Sequence, residues 1–183
     1  MTGFITTMHG SPAEGIPAIS VGDTFWNGSN PLTNRQVGTV RRICTRTDTA
    51  FVELSSGVTL SRIPLNYNGV IIGPNHHPNS RLVTGMRIIR FSEGGSTPAR
   101  GDGDITRLRA FNYVPTVGNI QLMRSNHTLA AGDSGGVLAR SMPVGSYYIV
   151  GIVSSTCPTT REALFSTIED IMSTSNMGAR PIL

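Results

Sequence analysis

The 183-residue sequence contains no lysine, so its 15 basic residues are all arginines. Charged residues make up 14% of the chain and aromatic residues 6%, and no run reaches the roughly 18 apolar residues that a membrane span needs. The arginines are scattered rather than gathered into a stripe, so the formal charge of +4 does not indicate a nucleic-acid surface. The first residues lack the basic and apolar regions of a signal peptide. We therefore expect no membrane span, and no nucleic-acid partner is indicated.

Cysteine is scarce as well. The two cysteines, Cys44 and Cys157, are far apart and lack the spacing of a metal site. One disulfide bond and two free buried thiols are equally compatible with this pattern, which leaves the redox environment open. No motif predicts a metal ion or another cofactor.

Glycine and proline, by contrast, are abundant, with 21 and 11 residues, and they separate short apolar runs. This pattern is typical of an all-β protein. The runs predict strands over residues 4–7, 23–26, 36–43, 49–54, 58–63, 69–72, 85–91, 104–113, 119–123, 137–140 and 147–155. A polar linker at 74–80 predicts a boundary at residue 77, between domains 1–77 and 78–183. The strand spacing predicts two small β-barrels packed together.

The C-terminal segment has a different pattern. Thr159 and Glu162 have the spacing of a capping box, and Leu164, Ile168 and Ile171 then recur at helical spacing. We therefore predict one amphipathic helix over residues 160–173.

One pentapeptide stands out, Gly132-Asp133-Ser134-Gly135-Gly136. Glycine allows a tight turn that lifts a serine hydroxyl out of a sheet and points neighbouring N–H groups at one place. A nucleophilic serine needs an exposed oxygen beside such an oxyanion site. The pentapeptide resembles the nucleophile loop of the trypsin/chymotrypsin-like serine proteases. A glycine-rich hairpin with a chance serine is the alternative.

A serine nucleophile also needs a base, which in turn needs an orienting acid. His9 directly follows the first predicted strand, where a rigid scaffold presents side chains. His76 and His77 lie in the predicted linker, where we expect them to face solvent. His127 shares a loop with Ser134 and is poorly placed to approach it from across a cleft.

Three further segments extend the resemblance over nearly the whole chain. Residues 3–10 are similar to the strand that delivers the catalytic histidine in this family, particularly in its compact bacterial branch. Residues 47–54 are similar to its aspartate segment, and residues 148–155 to the strand that lines its substrate pocket. The candidate residues stand in the order of the family: His9, Asp48 and Ser134.

The resemblance implies two antiparallel β-barrels of the six-stranded type, a C-terminal helix and the catalytic triad of peptidase S1. Ser134 would attack the scissile carbonyl, and His9 would act as general base and then as general acid. Asp48 would orient His9, with Asp23 as the reserve acid. The backbone N–H groups of Gly132 and Ser134 would form the oxyanion hole.

The resemblance also implies a substrate pocket and a buried loop acid, Asp133. The pocket residues would come from two segments: Thr128, Leu129, Ala131, Ser154, Ser155 and Thr156. None of them is acidic, so we expect a small or apolar side chain at the cleavage site rather than a basic one. The expected partner is a protein or peptide substrate. The resemblance also implies secretion, and no other feature of the sequence indicates where the protein acts.

Several departures bear on activity. The family has strands before its histidine strand, whereas eight residues precede His9, so we expect an incomplete first barrel. Met8 replaces a residue that is usually small, and no segment corresponds to the amino terminus that orders the serine loop in some members. The alternatives to a serine endopeptidase are therefore a non-catalytic homologue that binds or regulates, and a self-processing protease released from a longer precursor.

Overall fold

The fold is seen in a computed structural model that describes residues 2–10, 15–27, 35–59, 65–67, 70–92, 100–143 and 145–173. Within these ranges the chain is mostly β-strand with one short helix at the C-terminal end, which confirms the predicted all-β class. The strands form two sheets. Across the same ranges, no helix has the length and apolar character that crossing a membrane requires.

The first sheet has four antiparallel strands in the order β1-β4-β3-β2. Their bounds are β1 Gly3–Thr7, β2 Thr24–Asn27, β3 Arg35–Cys44 and β4 Thr49–Leu54. β4 has the predicted bounds and lies between β1 and β3, which explains why apolar residues occupy both of its faces. The core of this sheet is a cluster of four buried side chains: Met8, Val40, Ala50 and Val52.

The second sheet has eight strands in the order β10-β7-β8-β9-β12-β11-β6-β5, and β10 also pairs with β11. Their bounds are β5 Leu65–Tyr67, β6 Val70–His76, β7 Arg87–Phe91, β8 Arg100–Val114, β9 Gly118–Ser125, β10 Val137–Ser141, β11 Tyr147–Thr156 and β12 Ala163–Thr167. The core of this sheet includes five side chains with little or no exposure: Ile88, Leu138, Val150, Val153 and Phe165.

The division between the sheets falls earlier than the predicted boundary at residue 77. β5 pairs with β6, and β6 pairs in parallel with β11, so residues 65–76 belong to the second sheet. β6 also takes up the first part of the predicted linker. No local sequence pattern indicates that a strand will pair in parallel with another strand far along the chain. The predicted strand at 58–63 lies mostly outside the described residues, and residues 58–59 are not in a strand.

The C-terminal segment is a strand followed by a helix, so the single helix predicted over 160–173 is wrong in its first half. Residues Ala163–Thr167 form β12, which pairs with β9 and β11, and α1 spans only Ile168–Ser173. All five residues of β12 are buried, and tertiary pairing on both sides overrides the helical spacing. Thr159 and Glu162 form no capping box, because a strand and not a helix follows them, and the Glu162 carboxylate accepts hydrogen bonds from Thr160 and Arg124.

His77 is buried, with 3% exposure, rather than facing solvent as predicted. Its Nε2 lies 2.9 Å from Arg140 Nη1, and its Nδ1 lies 3.2 Å from the carbonyl oxygen of Pro78. Arginine can only donate, so Nε2 accepts and the ring is neutral, with its proton on Nδ1. Burial lowers the pKa of His77 below its ordinary value, and the charges of Arg140 and Arg81 lower this pKa further, against the bond to Pro78, which raises it.

This arrangement makes stability depend on pH. The free energy of unfolding should fall as the pH decreases below about 6.5, because the unfolded chain binds a proton that folded His77 resists. Urea unfolding at several pH values measures the slope. A His77→Gln variant keeps an acceptor for Arg140 but does not titrate, so its slope should be shallower between about pH 5 and 7. His76→Gln is the matched control, and equal slopes in the two variants would contradict the prediction.

Candidate active site

Three predicted side chains from separate parts of the chain meet where the two sheets face each other. His9 follows β1, Asp48 ends the turn before β4, and Ser134 lies in the loop between β9 and β10. β1 and β4 pair in register down to Thr7 and Thr49, so the residues just beyond this pair lie side by side. The first sheet thus presents the histidine and the aspartate, and the second presents the serine.

Asp48 holds His9 by two hydrogen bonds. His9 Nδ1 lies 2.6 Å from Asp48 Oδ2, and the backbone N–H of His9 donates to Asp48 Oδ1 over 2.9 Å. The Asp48 side chain is fully buried, whereas that of His9 is 12% exposed. Asp48 also has a φ of 49°, in the left-handed region where aspartate is among the better tolerated residues. The carboxylate therefore orients the imidazole so that Nε2 is turned toward Ser134.

The Ser134 hydroxyl has two acceptors within reach. It lies 3.2 Å from His9 Nε2 and 2.7 Å from the backbone carbonyl oxygen of Ser154. One hydroxyl proton serves one acceptor at a time, so transfer to His9 requires the hydroxyl to rotate away from Ser154. Distances of this kind commonly shorten when substrate binds.

Ser154 was predicted to line the substrate pocket, but its side chain lies behind the aspartate. It is 1% exposed, and its Oγ donates to Asp48 Oδ2 over 2.5 Å. Asp48 Oδ2 thus accepts from both His9 and Ser154, while Oδ1 accepts from the His9 backbone. These bonds satisfy a buried carboxylate that would otherwise be costly to hold in place.

Glycines give the serine loop its shape. Gly132 has a φ of 92°, which glycine adopts without strain and other residues rarely adopt. A Cβ at Gly136 would lie 2.7 Å from the Cβ of Ser92 and 2.9 Å from the carbonyl oxygen of Asp133, so no larger residue fits there. Among the described residues, the backbone N–H groups of Gly132 and Ser134 donate to no other protein group. They are therefore available to an oxyanion beside Ser134 Oγ.

A buried ion pair anchors the same loop. Arg90 Nη1 lies 2.6 Å from Asp133 Oδ1, and the two side chains are only 2% and 1% exposed. Ser92 Oγ donates to Asp133 Oδ1 over 2.6 Å, and the backbone N–H of Ala130 donates to Oδ2 over 2.8 Å. Arg90 also donates to Ser92. Arg90 of β7 thus ties the carboxylate of this loop to the second sheet.

The remaining pocket candidates flank the serine loop and β11. Thr128 and Ala131 are exposed, and Leu129 is partly buried against the core of the second sheet. Ser155 and Thr156 follow Ser154 along β11 and are partly buried. The side chains of this set carry no charge. Thr156 also faces Ala163 across the β11–β12 pairing.

The other candidates from the sequence lie elsewhere. His127 is 3% exposed and bonds to Ser125 Oγ over 2.9 Å; burial lowers its pKa. Asp23 accepts a bond from the backbone of Ser20 and is exposed. Both cysteines are buried free thiols. Within the described ranges, no three His, Cys, Asp or Glu side chains come close enough together to hold a metal ion.

The sequence analysis missed the buried pair of Arg90 with Asp133 and the hydrogen bond from Gly10 to Thr116. Arg90 interrupts an apolar strand, Ile88-Ile89-Arg90-Phe91, and a charged residue in such a setting signals a buried partner. Met8, noted as unusually large, is 5% exposed and forms part of the core of the first sheet. No feature of the sequence signals that the Gly10 N–H bonds to Thr116 Oγ1.

Known proteins of similar structure are bacterial serine proteases. The chymotrypsin of Cellulomonas bogoriensis is 28% identical with a TM-score of 0.66, and the match covers 98% of this chain and 85% of that one. The Nocardiopsis protease is 23% identical with a TM-score of 0.62, over 95% and 82% of the two chains. Protease A of Thermobifida fusca is 23% identical with a TM-score of 0.59, over 94% and 81%.

No protein-family model and no curated protein sequence matches the chain. The structural matches nevertheless agree with the family that the sequence resembles. They support the trypsin/chymotrypsin-like serine protease family, and the arrangement of strands is consistent with its double β-barrel fold. The Cellulomonas bogoriensis chymotrypsin, at 28% identity, also supports a protease function for this chain.

Proposed function

We propose that this protein is a trypsin-like serine endopeptidase, which hydrolyses peptide bonds through a Ser-His-Asp triad and an acyl-enzyme. The observation that carries the proposal is the chain of contacts from Asp48 through His9 to Ser134, built from both sheets. A buried acid, an oriented imidazole and an exposed serine hydroxyl are the groups that acyl transfer needs.

The first half-reaction follows from these contacts. Ser134 Oγ attacks the carbonyl carbon of the substrate while His9 Nε2 takes the hydroxyl proton. The carbonyl oxygen becomes an oxyanion, which the N–H groups of Gly132 and Ser134 stabilise. When this intermediate collapses, the C–N bond breaks, and His9 returns the proton to the leaving amine. Asp48 stabilises the imidazolium that exists between these two proton transfers.

The second half-reaction releases the acid. A water molecule takes the place of the amine, His9 removes its proton, and the water oxygen attacks the ester carbon. Collapse of the second intermediate breaks the bond to Ser134 Oγ, which recovers its proton from His9. The uncharged pocket candidates support a small or apolar side chain at the cleavage site.

A fluorophosphonate probe tests the proposed nucleophile. The probe forms a phosphorus–oxygen bond to an activated serine and releases fluoride, so the wild-type protein should be labelled at Ser134. Ser134→Ala should not be labelled, and His9→Ala should be labelled far more slowly. Ser141→Ala, which removes an exposed hydroxyl on β10, is the matched control and should be labelled like the wild type. Mass spectrometry of the labelled peptide identifies the site.

One observation favours the second candidate, a non-catalytic homologue that acts as a binding or regulatory module. The Ser134 hydroxyl lies closer to the carbonyl oxygen of Ser154 than to His9 Nε2. If a folded wild-type protein is not labelled, or if Ser134→Ala is labelled equally, the endopeptidase proposal fails and this second function is favoured.

A further inference from the structure

We propose that Thr116 is a positioning residue for His9, acting across the two sheets through the backbone of Gly10. The residue lies at the tip of the turn that joins β8 and β9, far along the chain from the histidine. This inference rests on the proposed function, because its effect on turnover passes through the proposed base.

Three consecutive N–H groups hold the histidine segment. The N–H of Met8 donates to the carbonyl oxygen of Asp48 over 3.2 Å, and the N–H of His9 donates to Asp48 Oδ1 over 2.9 Å. The N–H of Gly10 donates to Thr116 Oγ1 over 3.0 Å. The first two bonds stay within the first sheet. The third comes from the second sheet, which also carries Ser134.

The Thr116 hydroxyl makes two bonds at once. It accepts from the Gly10 N–H and donates to the carbonyl oxygen of Pro115 over 2.6 Å. The bond to Pro115 directs the hydroxyl proton away from Gly10 and leaves a lone pair for the amide. Gly10 is buried whereas Thr116 is exposed, so after loss of this acceptor the Gly10 N–H could bond only to water that enters at the position of Thr116. Such a water molecule would not fix Gly10 relative to the second sheet.

The side chain that follows Thr116 packs against the cores of both sheets. Val117 contacts the core cluster of the first sheet, which contains Met8, and also the cluster of the second sheet that contains Val114. The tip of the β8–β9 turn is therefore anchored in both halves of the molecule. An acceptor held in this way can restrain Gly10 relative to the sheet that presents the nucleophile.

The backbone at Thr116 is unfavourable for its residue type. Its φ is 64°, a left-handed value that glycine adopts freely and that is a marked outlier for a β-branched residue. A strained backbone position points to a role for the side chain that occupies it. The Thr116 side chain offers its hydroxyl, which bonds to Gly10 and to Pro115, whereas the backbone alone would favour glycine.

The bond from Gly10 to Thr116 should affect the distance between the proposed base and the proposed nucleophile. His9 Nε2 and Ser134 Oγ are 3.2 Å apart and belong to different sheets. A restraint on the residue next to His9, made by the sheet that carries Ser134, limits how far this distance can increase. Loss of the restraint should therefore slow proton transfer, and substrate binding should change little.

Two substitutions at Thr116 separate an effect on the position of His9 from an effect on the stability of the fold. Thr116→Gly removes the hydroxyl but relieves the backbone strain, and these opposing effects should leave its Tm close to that of the wild type. Its kcat should nevertheless fall by about 10-fold, because small displacements of a catalytic base are costly, while KM changes by less than about 2-fold. Thr116→Ser keeps the acceptor and should restore kcat. Thr84→Val, in an exposed turn of the second sheet, is the control and should leave both constants unchanged.

Amide hydrogen exchange at Gly10, followed by NMR, gives a readout that needs no activity. Protection of the Gly10 N–H should be lost in Thr116→Gly and kept in Thr116→Ser. A kcat within about 2-fold of the wild type in Thr116→Gly, or unchanged protection at Gly10, would overturn the inference. A wild-type protein that is folded but inactive would overturn the proposed function instead, and the exchange experiment would still decide whether Thr116 holds Gly10.

Discussion

Replacement of His9 by alanine should lower kcat for a peptide ester by about 10⁶-fold, because the base and the nucleophile of a catalytic triad act as one unit. For the same reason, a double variant that also carries Ser134→Ala should be hardly slower than either single variant. Asp48→Asn should show an intermediate loss of about 10⁴-fold, since it spares the nucleophile but no longer holds the required tautomer of His9. Steady-state kinetics with an activated ester substrate measure these four variants and the wild type.

The design of this experiment separates loss of chemistry from loss of structure. His76→Gln, on a partly exposed histidine at the end of β6, should retain wild-type activity. Far-UV circular dichroism should be the same for the His9 and Ser134 variants as for the wild type, because both side chains reach solvent at the cleft. Losses that multiply in the double variant would argue against a triad. Substantial activity in His9→Ala would argue against His9 as the base.

Replacement of Arg90 by methionine should lower the free energy of unfolding by about 3–5 kcal/mol, because it leaves the buried Asp133 carboxylate without its cation. Arg87→Met, on the same strand, is the matched control. Arg87 lies 3.3 Å from Asp104 in an exposed pair, with side chains 65% and 37% accessible. Loss of such a pair should cost less than about 1 kcal/mol. Urea unfolding measures both variants.

A double-mutant cycle isolates the pair from the other contacts of Arg90. Arg90→Met combined with Asp133→Asn removes both charges, so this variant should be more stable than Arg90→Met alone. Fluorophosphonate labelling should slow in Arg90→Met, because the carboxylate that orders the Gly132 and Ser134 N–H groups loses its anchor. If Arg90→Met costs no more stability than Arg87→Met, the ion pair does not organise the loop.

The tight turn around Ser134 could be predicted because its causes are local. Gly132 and Gly136 mark a turn with special backbone demands, and Ser134 stands between them. The strand on which His9 depends is likewise visible in a short run of residues. The pairing of β1 with β4 then brings His9 to Asp48, which the order of segments made a reasonable expectation.

Other features could not be predicted because their causes are remote. The helical spacing after Glu162 is real, but residues Ala163–Thr167 pair with strands on both sides, and pairing decides their conformation. Ser154 is far from Asp48 in sequence, so its side chain could equally have lined a pocket. A charged residue such as Arg90 is unusual in an apolar strand, but only the tertiary structure shows that its partner is Asp133.

The sequence by itself determined the all-β class, the run of short strands and the identity of the serine loop. These depend on side-chain alternation and on glycine, which act over a few residues. Only the tertiary structure decided how the two sheets share the chain, which cation anchors Asp133 and which hydroxyl holds Gly10. Those contacts join residues far apart along the chain, and their geometry is set when both sheets pack and exclude water from the groups between them. The distance between His9 and Ser134 belongs to this second kind, because each side chain is presented by a different sheet.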